Sequence, residues 1–358
     1  MFARAAAIVL VIVIGVTPIA LAQSKSAARP QPRSESPRST GQELKIAMLA
    51  GGDAHALDAV AAGLDAAKKH GRITVAVRLA SRPTDYAVLI EQLAAATPDL
   101  IIGAGELDRG AFRAASKRHP ELRFLFLDAE LPDAPNVKSV TFRTDEGSFL
   151  AGVVAALETK RGRVGFVGAV ETPAIKAYEC GFETGVRWAT KERFLTVRGR
   201  HVYIGTTAEA FANPLAGEEL SRAMIAQQGA DVLYSAAGAS GRGVLAAARH
   251  ANVKAIGVDV DQRSLAPDAV ITSMRKRVDR VIQDTVADVR RHAFSGGVTE
   301  MNLANGGVDL VLPGRLAAST LKLLAKARAA VVSGEAPACV KEEDRVPAWN
   351  FPPRPAAP

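Results

Sequence analysis

The sequence predicts an α/β fold of two doubly wound parallel-sheet lobes, and three observations carry that expectation. Short apolar runs rich in Ile, Val, Leu and Phe recur along the 358-residue chain and alternate with Ala-rich segments of helical spacing. Continuous apolar strands between amphipathic helices read as a parallel sheet covered on both faces. The pattern runs once as far as Phe142 and then starts again.

In the first set, strands are expected over residues 45–49, 73–78, 100–103, 124–127 and 137–142, with helices over 55–70, 86–95 and 109–119. In the second, strands fall over 164–167, 196–203, 232–235 and 255–258, and helices over 147–158, 174–190, 217–228 and 242–250. Two successive βα sets make two similar lobes, and ligands of such sheets sit outside the carboxyl ends of the strands. Those ends hold Gly51-Gly52-Asp53, Gly103-Ala104-Gly105-Glu106, Asp128, Gly168, Gly238 and Asp259, glycines and carboxylates suited to a cleft.

The ends of the chain have a different character. Arg4, an apolar run over 5–19 and Ala20-Leu21-Ala22 form a cleavable secretion signal, 1–22. The apolar run is shorter than the ~20 residues that span a bilayer. Residues 23–43 are a flexible leader of Gln, Ser, Pro, Ala and Arg without apolar periodicity, and 341–358, with five prolines, is an irregular tail. Arg4 and a net +3 over residues 23–41 account for half of the formal charge of +8, so the remainder is only modestly basic. With aromatics at 5% and no stacking platform beside Arg275-Lys276-Arg277, no nucleic-acid partner is expected.

Catalytic and metal motifs are scarce. His55, His70, His119, His201, His250 and His292 show no metal-ligand spacing, so no metal is expected. Gly238-Ala239-Ser240-Gly241 lacks the final glycine of a Gly-x-Ser-x-Gly elbow, because Arg242 stands there. One enzyme reading competes: Gly241-Arg242-Gly243 follows a strand and opens a helix, with Asp259 ending the next strand, as in a dinucleotide-binding fingerprint. Its depth in the chain and a secreted location weigh against an NAD-dependent enzyme, and neither enzymatic activity nor a cofactor is expected. Cys180 and Cys339 either pair in an oxidising compartment or stay as two buried thiols; sequence leaves both open.

An ionised carboxylate such as Asp259 is acceptor-only and can take hydrogen bonds from two neighbouring hydroxyls. On spacing alone the plainer reading is preferred, with Asp259 capping a turn and Lys276 a solvated charge. Their surroundings change that reading. Ile256-Gly257-Val258-Asp259, followed by Gln262, Pro267 and Ser273-Met274-Arg275-Lys276-Arg277-Val278-Asp279, resembles the Bmp (basic membrane protein) family of solute-binding lipoproteins that feed ABC transporters. Asp145-Glu146-Gly147-Ser148-Phe149-Leu150-Ala151-Gly152 adds to the resemblance, which extends from about Lys45 to about Gly334.

The resemblance implies a type I periplasmic binding protein fold whose chain passes between lobes three times, near 142–145, 271–273 and 296–301, with a helix over 283–291 returning to the first lobe. The N-terminal lobe is then 44–143 plus 273–299, and the C-terminal lobe 144–272 plus 300–340. Members often bind purine nucleosides. The implied function is capture of a nucleoside-like ligand and its delivery to an inner-membrane ABC permease; the alternative is a ligand-sensing or orphan binding protein of the same fold. Relatives commonly carry a lipid-bearing cysteine after the signal. None precedes Cys180 here, so the mature protein is expected to be an unlipidated periplasmic monomer.

By the same resemblance Asp259 and Lys276 hold the ribose, and Phe211, in Phe211-Ala212-Asn213-Pro214-Leu215-Ala216-Gly217, stacks on the base. Asp53 and Asp128 orient the ligand from the first lobe, and Gly238 lets it approach the backbone. The first strand departs from the family pattern: Ala56 and Leu57 stand where a Phe and an Asn are usual, so the sugar grip transfers better than the identity of the base.

Overall fold

The computed structural model describes residues 43–340 apart from 52–53, 81, 105–108, 133, 194 and 313–315. The expected signal, nearly all of the leader and the tail lie outside the described residues, as does Asp53.

Strands β1 Leu44–Ala50, β2 Ile73–Leu79, β3 Leu100–Ala104, β4 Phe124–Leu127 and β5 Val137–Phe142 are interleaved with helices α1 Ala54–Lys68, α2 Tyr86–Ala95 and α3 Arg109–Arg118. A second run follows: α4 Thr144–Glu158, β6 Arg163–Val170, α5 Pro173–Arg193, β7 Arg198–Gly205, α6 Pro214–Gln228, β8 Val232–Ala236, α7 Gly241–His250, β9 Lys254–Asp259 and β10 Val270–Lys276. The chain then adds α8 Val278–Arg290, β11 Gly297–Met301, β12 Val308–Val311 and α9 Ala318–Val332.

Among the described residues the first sheet has the order β11-β5-β4-β3-β1-β2 with every pair parallel. The second has the order β12-β10-β9-β8-β6-β7, parallel except for β12 against β10. This is the expected pair of doubly wound sheets.

The period-2 geometry of a strand explains the apolar runs. Along β1, Leu44, Ile46, Met48 and Ala50 enter one core with Val60 and Leu64 of α1 and Ile282 of α8. Ala47 and Leu49 enter the opposite core with Ile90 of α2 and Phe112 of α3. A strand covered on both faces has no polar face to show, and every residue of β3 and β4 is buried. The edge strands β2 and β11 differ, with Val77, Leu79 and Val298 exposed. In the second half α4 and α5 pack so closely that a methyl group at Gly185 would stand 1.9 Å from the Phe149 carbonyl oxygen, and one at Gly152 2.1 Å from that of Phe182.

The passages between sheets differ in place from the sequence expectation. The first fits, since β5 ends at Phe142 in the first sheet and α4 packs among the second core. The second does not lie at 271–273. Strand β10 stays in the second sheet as far as Lys276, held by β9 on one side and β12 on the other, and the chain leaves it at Arg277. Residues 300–301 still pair with β5, so the third passage follows Met301. The returning helix, α8, begins at Val278 and packs on α1.

Cys180 of α5 and Cys339, beyond α9, form a disulfide with Cα atoms 5.2 Å apart. It ties together residues separated by 159 positions. In the chain-entropy account, closing so long a loop stabilises by more than the about 3 kcal/mol of a short one. Cys339→Ser, or reduction of the purified protein, is therefore expected to lower the calorimetric midpoint by several degrees. An unchanged midpoint would show that the tether contributes nothing.

Candidate functional site

A cavity of about 470 Å³ lies at the carboxyl ends of the strands and is lined from both sheets. The first sheet supplies Phe126, Asp128, Thr141 and Phe142, and the second half supplies Tyr178, Phe211, Gly238, Val258, Asp259 and Lys276. Its size falls within the range of ~300–1,000 Å³ usual for small-molecule sites.

The two carboxylates are built alike. Asp128 follows β4 with φ +61° and Asp259 closes β9 with φ +66°, both in the left-handed region that costs an L-residue energy and that Asp tolerates better than most. The Val260 amide donates to the Val258 carbonyl at 2.8 Å, which makes the turn at Asp259 a three-residue γ-turn. Gln262, which is buried, holds this turn from behind. Its side-chain oxygen accepts from the Val258 amide at 3.1 Å, while its own amide donates to Ser273 Oγ at 3.1 Å. Backbone strain over-determined by such contacts is common at functional sites.

Lys276, the last residue of β10, joins the two carboxylates. Its Nζ donates to Asp128 Oδ1 and Oδ2 at 3.0 and 3.1 Å, lies 3.7 Å from Asp259 Oδ1, and sits 5.4 Å from the centre of the Phe142 ring. Tyr178, in the second turn of α5, donates from its hydroxyl to Asp259 Oδ1 at 2.9 Å. Burial, and then the adjacent Asp259 carboxylate, hold the Tyr178 phenol well above the usual tyrosine range, so it remains a donor. Behind it Tyr234 and Ser148, both fully buried, share a hydrogen bond of 2.8 Å.

Phe211 rides on a single tight turn, Ala208–Ala212. Ser240 Oγ pins that turn by accepting from the Asn213 amide and donating to the Ala210 carbonyl, both at 2.7 Å. Gly238 has φ +55°, and a Cβ there would press on Phe211 Cδ1 at 3.1 Å, so glycine answers both the backbone and the ring. The neighbouring Gly241-Arg242-Gly243 has a packing explanation. A Cβ at Gly243 would fall 1.8 Å from the Pro214 carbonyl oxygen, because α7 crosses the start of α6 there.

Five of the six sequence-predicted site residues, Asp128, Phe211, Gly238, Asp259 and Lys276, thus line one cavity. The sixth, Asp53, and the side chains of 54–56 lie outside the described residues. Leu57 packs against the core of the first sheet. Sequence reasoning missed Tyr178 and Phe142. Tyr178 sits at helical spacing from Phe182 and reads as core, and Phe142 reads as the end of an apolar strand. Among the described residues no cluster of three or more His, Cys, Asp or Glu could hold a metal.

The family model described as ABC transporter substrate-binding protein PnrA-like, Bmp, matches residues 52–346. The ABC transporter nucleoside-binding protein BmpA of Lactococcus lactis subsp. cremoris is 32% identical over 255 residues, which is 66% of this chain and 70% of that protein. Basic membrane protein A of Borreliella burgdorferi is 30% identical over 256 residues, 70% of this chain and 73% of its own length. Among solved structures, an ABC transporter solute-binding protein from Aeropyrum pernix K1 aligns with a TM-score of 0.72 at 23% identity, over 82% of this chain and 92% of the other. At that identity the likeness concerns the fold.

Burial raises Tyr234 as it does Tyr178. Both phenols lie above the unfolded value of about 10, so the folded state keeps its protons where the unfolded state releases them. The stability they confer is fully present below about pH 10 and is lost as pH rises through the folded-state values. An ultraviolet titration of the four tyrosines is expected to show at least two that ionise only together with alkaline unfolding. Smooth ionisation of all four in folded protein would contradict the burial of this pair.

Proposed function

We propose, for a chain that belongs to the Bmp family of ABC transporter substrate-binding proteins, that the cavity between its two sheets captures a nucleoside-like solute for delivery to a transporter permease. The observation that carries this reading is the convergence of Asp128, from one half, with Asp259 and Lys276, from the other, beside the Phe211 ring. Two acceptor-only carboxylates and an ammonium donor suit the vicinal hydroxyls of a sugar, and an aromatic face suits a flat base. Asp259 and Lys276 grip the sugar, Phe211 stacks on the base, and Asp128 and Asp53 orient the ligand from the first half. The name of the Lactococcus relative, a nucleoside-binding protein, supports the same ligand class.

Transport here needs no covalent chemistry. A solute that touches both halves binds the closed arrangement better than an open one and shifts the population toward it by that difference. Substrate-binding proteins of ABC transporters work at the extracellular or periplasmic side. Among the described residues no helix is long and apolar enough to cross a membrane. The finer placement, an unlipidated periplasmic protein released by a cleaved signal, rests on Arg4, the apolar run after it and Ala20-Leu21-Ala22. A second reading, the same cleft turned to another solute, is favoured by Leu57, which stands where the family has a base-reading amide and instead packs into the core.

Thermal unfolding with nucleosides, free bases, sugars and NAD tests the proposal. A true ligand at a hundred times its Kd adds about 2.7 kcal/mol, an easily read rise in midpoint. A shift with nucleosides alone is the expected result, and a shift only with another class redirects the cleft to that class. In Asp259→Ala the loss of hydrogen bonds to a charged group, about 1.5–3 kcal/mol each, is expected to weaken nucleoside binding by roughly a hundredfold or more. Full nucleoside affinity in that variant would sink the assignment.

A further inference from the structure

We infer that Tyr178 is a positioning residue: by holding one oxygen of Asp259 it presents the other to the ligand, and so sets the preference for a vicinal diol over a sugar that lacks one hydroxyl. This inference rests on the nucleoside reading of the same cleft and goes beyond it.

The geometry is one-sided. The Tyr178 hydroxyl lies 2.9 Å from Asp259 Oδ1, and the Lys276 ammonium approaches that same oxygen at 3.7 Å. A carboxylate at the tip of a γ-turn has two side-chain torsions to settle, and its terminal torsion is intrinsically broad. A donor anchored elsewhere removes that freedom. Tyr178 is so anchored: it is 6% exposed, belongs to the core of the second half, and stands on a helix rather than on a loop. Lys276 cannot do the same alone, because its closer contacts are to Asp128 across the cleft.

The consequence concerns selectivity. A carboxylate fixed in orientation meets two adjacent hydroxyls at once, and a ligand missing one of them leaves a polar partner unpaired, which is how hydrogen-bonding sites reject deoxy analogues. A carboxylate free to turn accommodates the analogue and discriminates less. Tyr178 also lines the cavity itself.

The test compares Tyr178→Phe, which keeps the ring, with the unaltered protein by isothermal titration against a ribonucleoside and its 2′-deoxy and 3′-deoxy analogues. The expected result is a fall of about tenfold in the affinity ratio between ribonucleoside and deoxy analogue, with the thermal midpoint showing that the variant is folded. Tyr234→Phe serves as the control, since this tyrosine is also buried but bonds to Ser148 rather than Asp259; its ratio is expected to stay unchanged. Equal weakening of all ligands by Tyr178→Phe, or no change, overturns the inference while leaving the nucleoside reading intact. Failure of the unaltered protein to bind any ribonucleoside overturns that reading and this inference with it.

Discussion

The cleft depends on the way the three passages of chain between the sheets are tied to one another. The Arg143 amide, at the head of α4, donates to the Met301 carbonyl at 2.8 Å, and the Arg277 amide, at the head of α8, donates to that of Gly307 at 2.9 Å. The first and second passages therefore both hang on the third. Inside the third, the side chains of Asn302 and Asn305 accept from each other's backbone amides, and the Leu303 amide donates to Glu146 at 2.8 Å. Each arginine also grips the aspartate two residues on, Asp145 or Asp279, through two guanidinium contacts. Those carboxylates fall in the first helical turn, where the unpaired backbone amides favour negative charge. Such charge-assisted pairs resist dilution by water better than neutral ones. With the passages fixed together, the carboxyl ends of both sheets are brought to one cavity.

The two halves place equivalent residues at equivalent points. In strand order, β2-β1-β3-β4-β5 corresponds to β7-β6-β8-β9-β10. Asp128 after β4 then matches Asp259 at the end of β9, and both take the same left-handed backbone. Phe142, the last residue of β5, matches Lys276, the last residue of β10, and these two meet across the cleft at 5.4 Å. Arg143 and Asp145 match Arg277 and Asp279. One half thus offers an aromatic where the other offers an ammonium, on frames that are otherwise alike. The cost of two left-handed aspartates is repeated because the position is the same: a carboxylate at the end of an inner strand, turned by its own backbone toward the ligand side.

Much of this was legible in the sequence because buried parallel strands have no polar face to confuse the reading. The runs at β3 and β4 were recognisable from their apolar residues alone. Strand β10 was not, since Thr272, Ser273, Arg275 and Lys276 interrupt it; its polar positions are accounted for by partners such as the Val311 carbonyl, which accepts from Thr272 Oγ1. With no strand legible there, nothing in the apolar pattern moves the second passage from 271–273, which the resemblance implies, to Arg277, where the chain leaves β10. The site divides in the same way. Asp259 stands out as a strand-end carboxylate, but its partnership with Lys276 was visible only through the resemblance to a family, because a strand-end aspartate and a lysine carry no signal of their meeting. Tyr178 was invisible to either route: its helical spacing marks it as core, which it is, and only the fold shows that its hydroxyl reaches a carboxylate 81 positions away. Gly241-Arg242-Gly243 offered a competing signal, a dinucleotide-like fingerprint that the sequence reading sets aside, and a helix crossing explains the glycine at 243.

The charges around the cavity constrain the solute beyond its shape. Among the described lining residues, Asp128 and Asp259 face Lys276 and Arg109, and Lys276 is already engaged by both carboxylates. An anionic ligand group placed about 4 Å from either aspartate meets a repulsion of about 4 kcal/mol at an effective dielectric constant of about 20, and Lys276 has little uncompensated charge with which to offset it. A neutral ligand bearing hydroxyls meets no such penalty and donates to the same carboxylates. On the proposed nucleoside reading, an anionic group is therefore disfavoured where it would lie beside these two carboxylates.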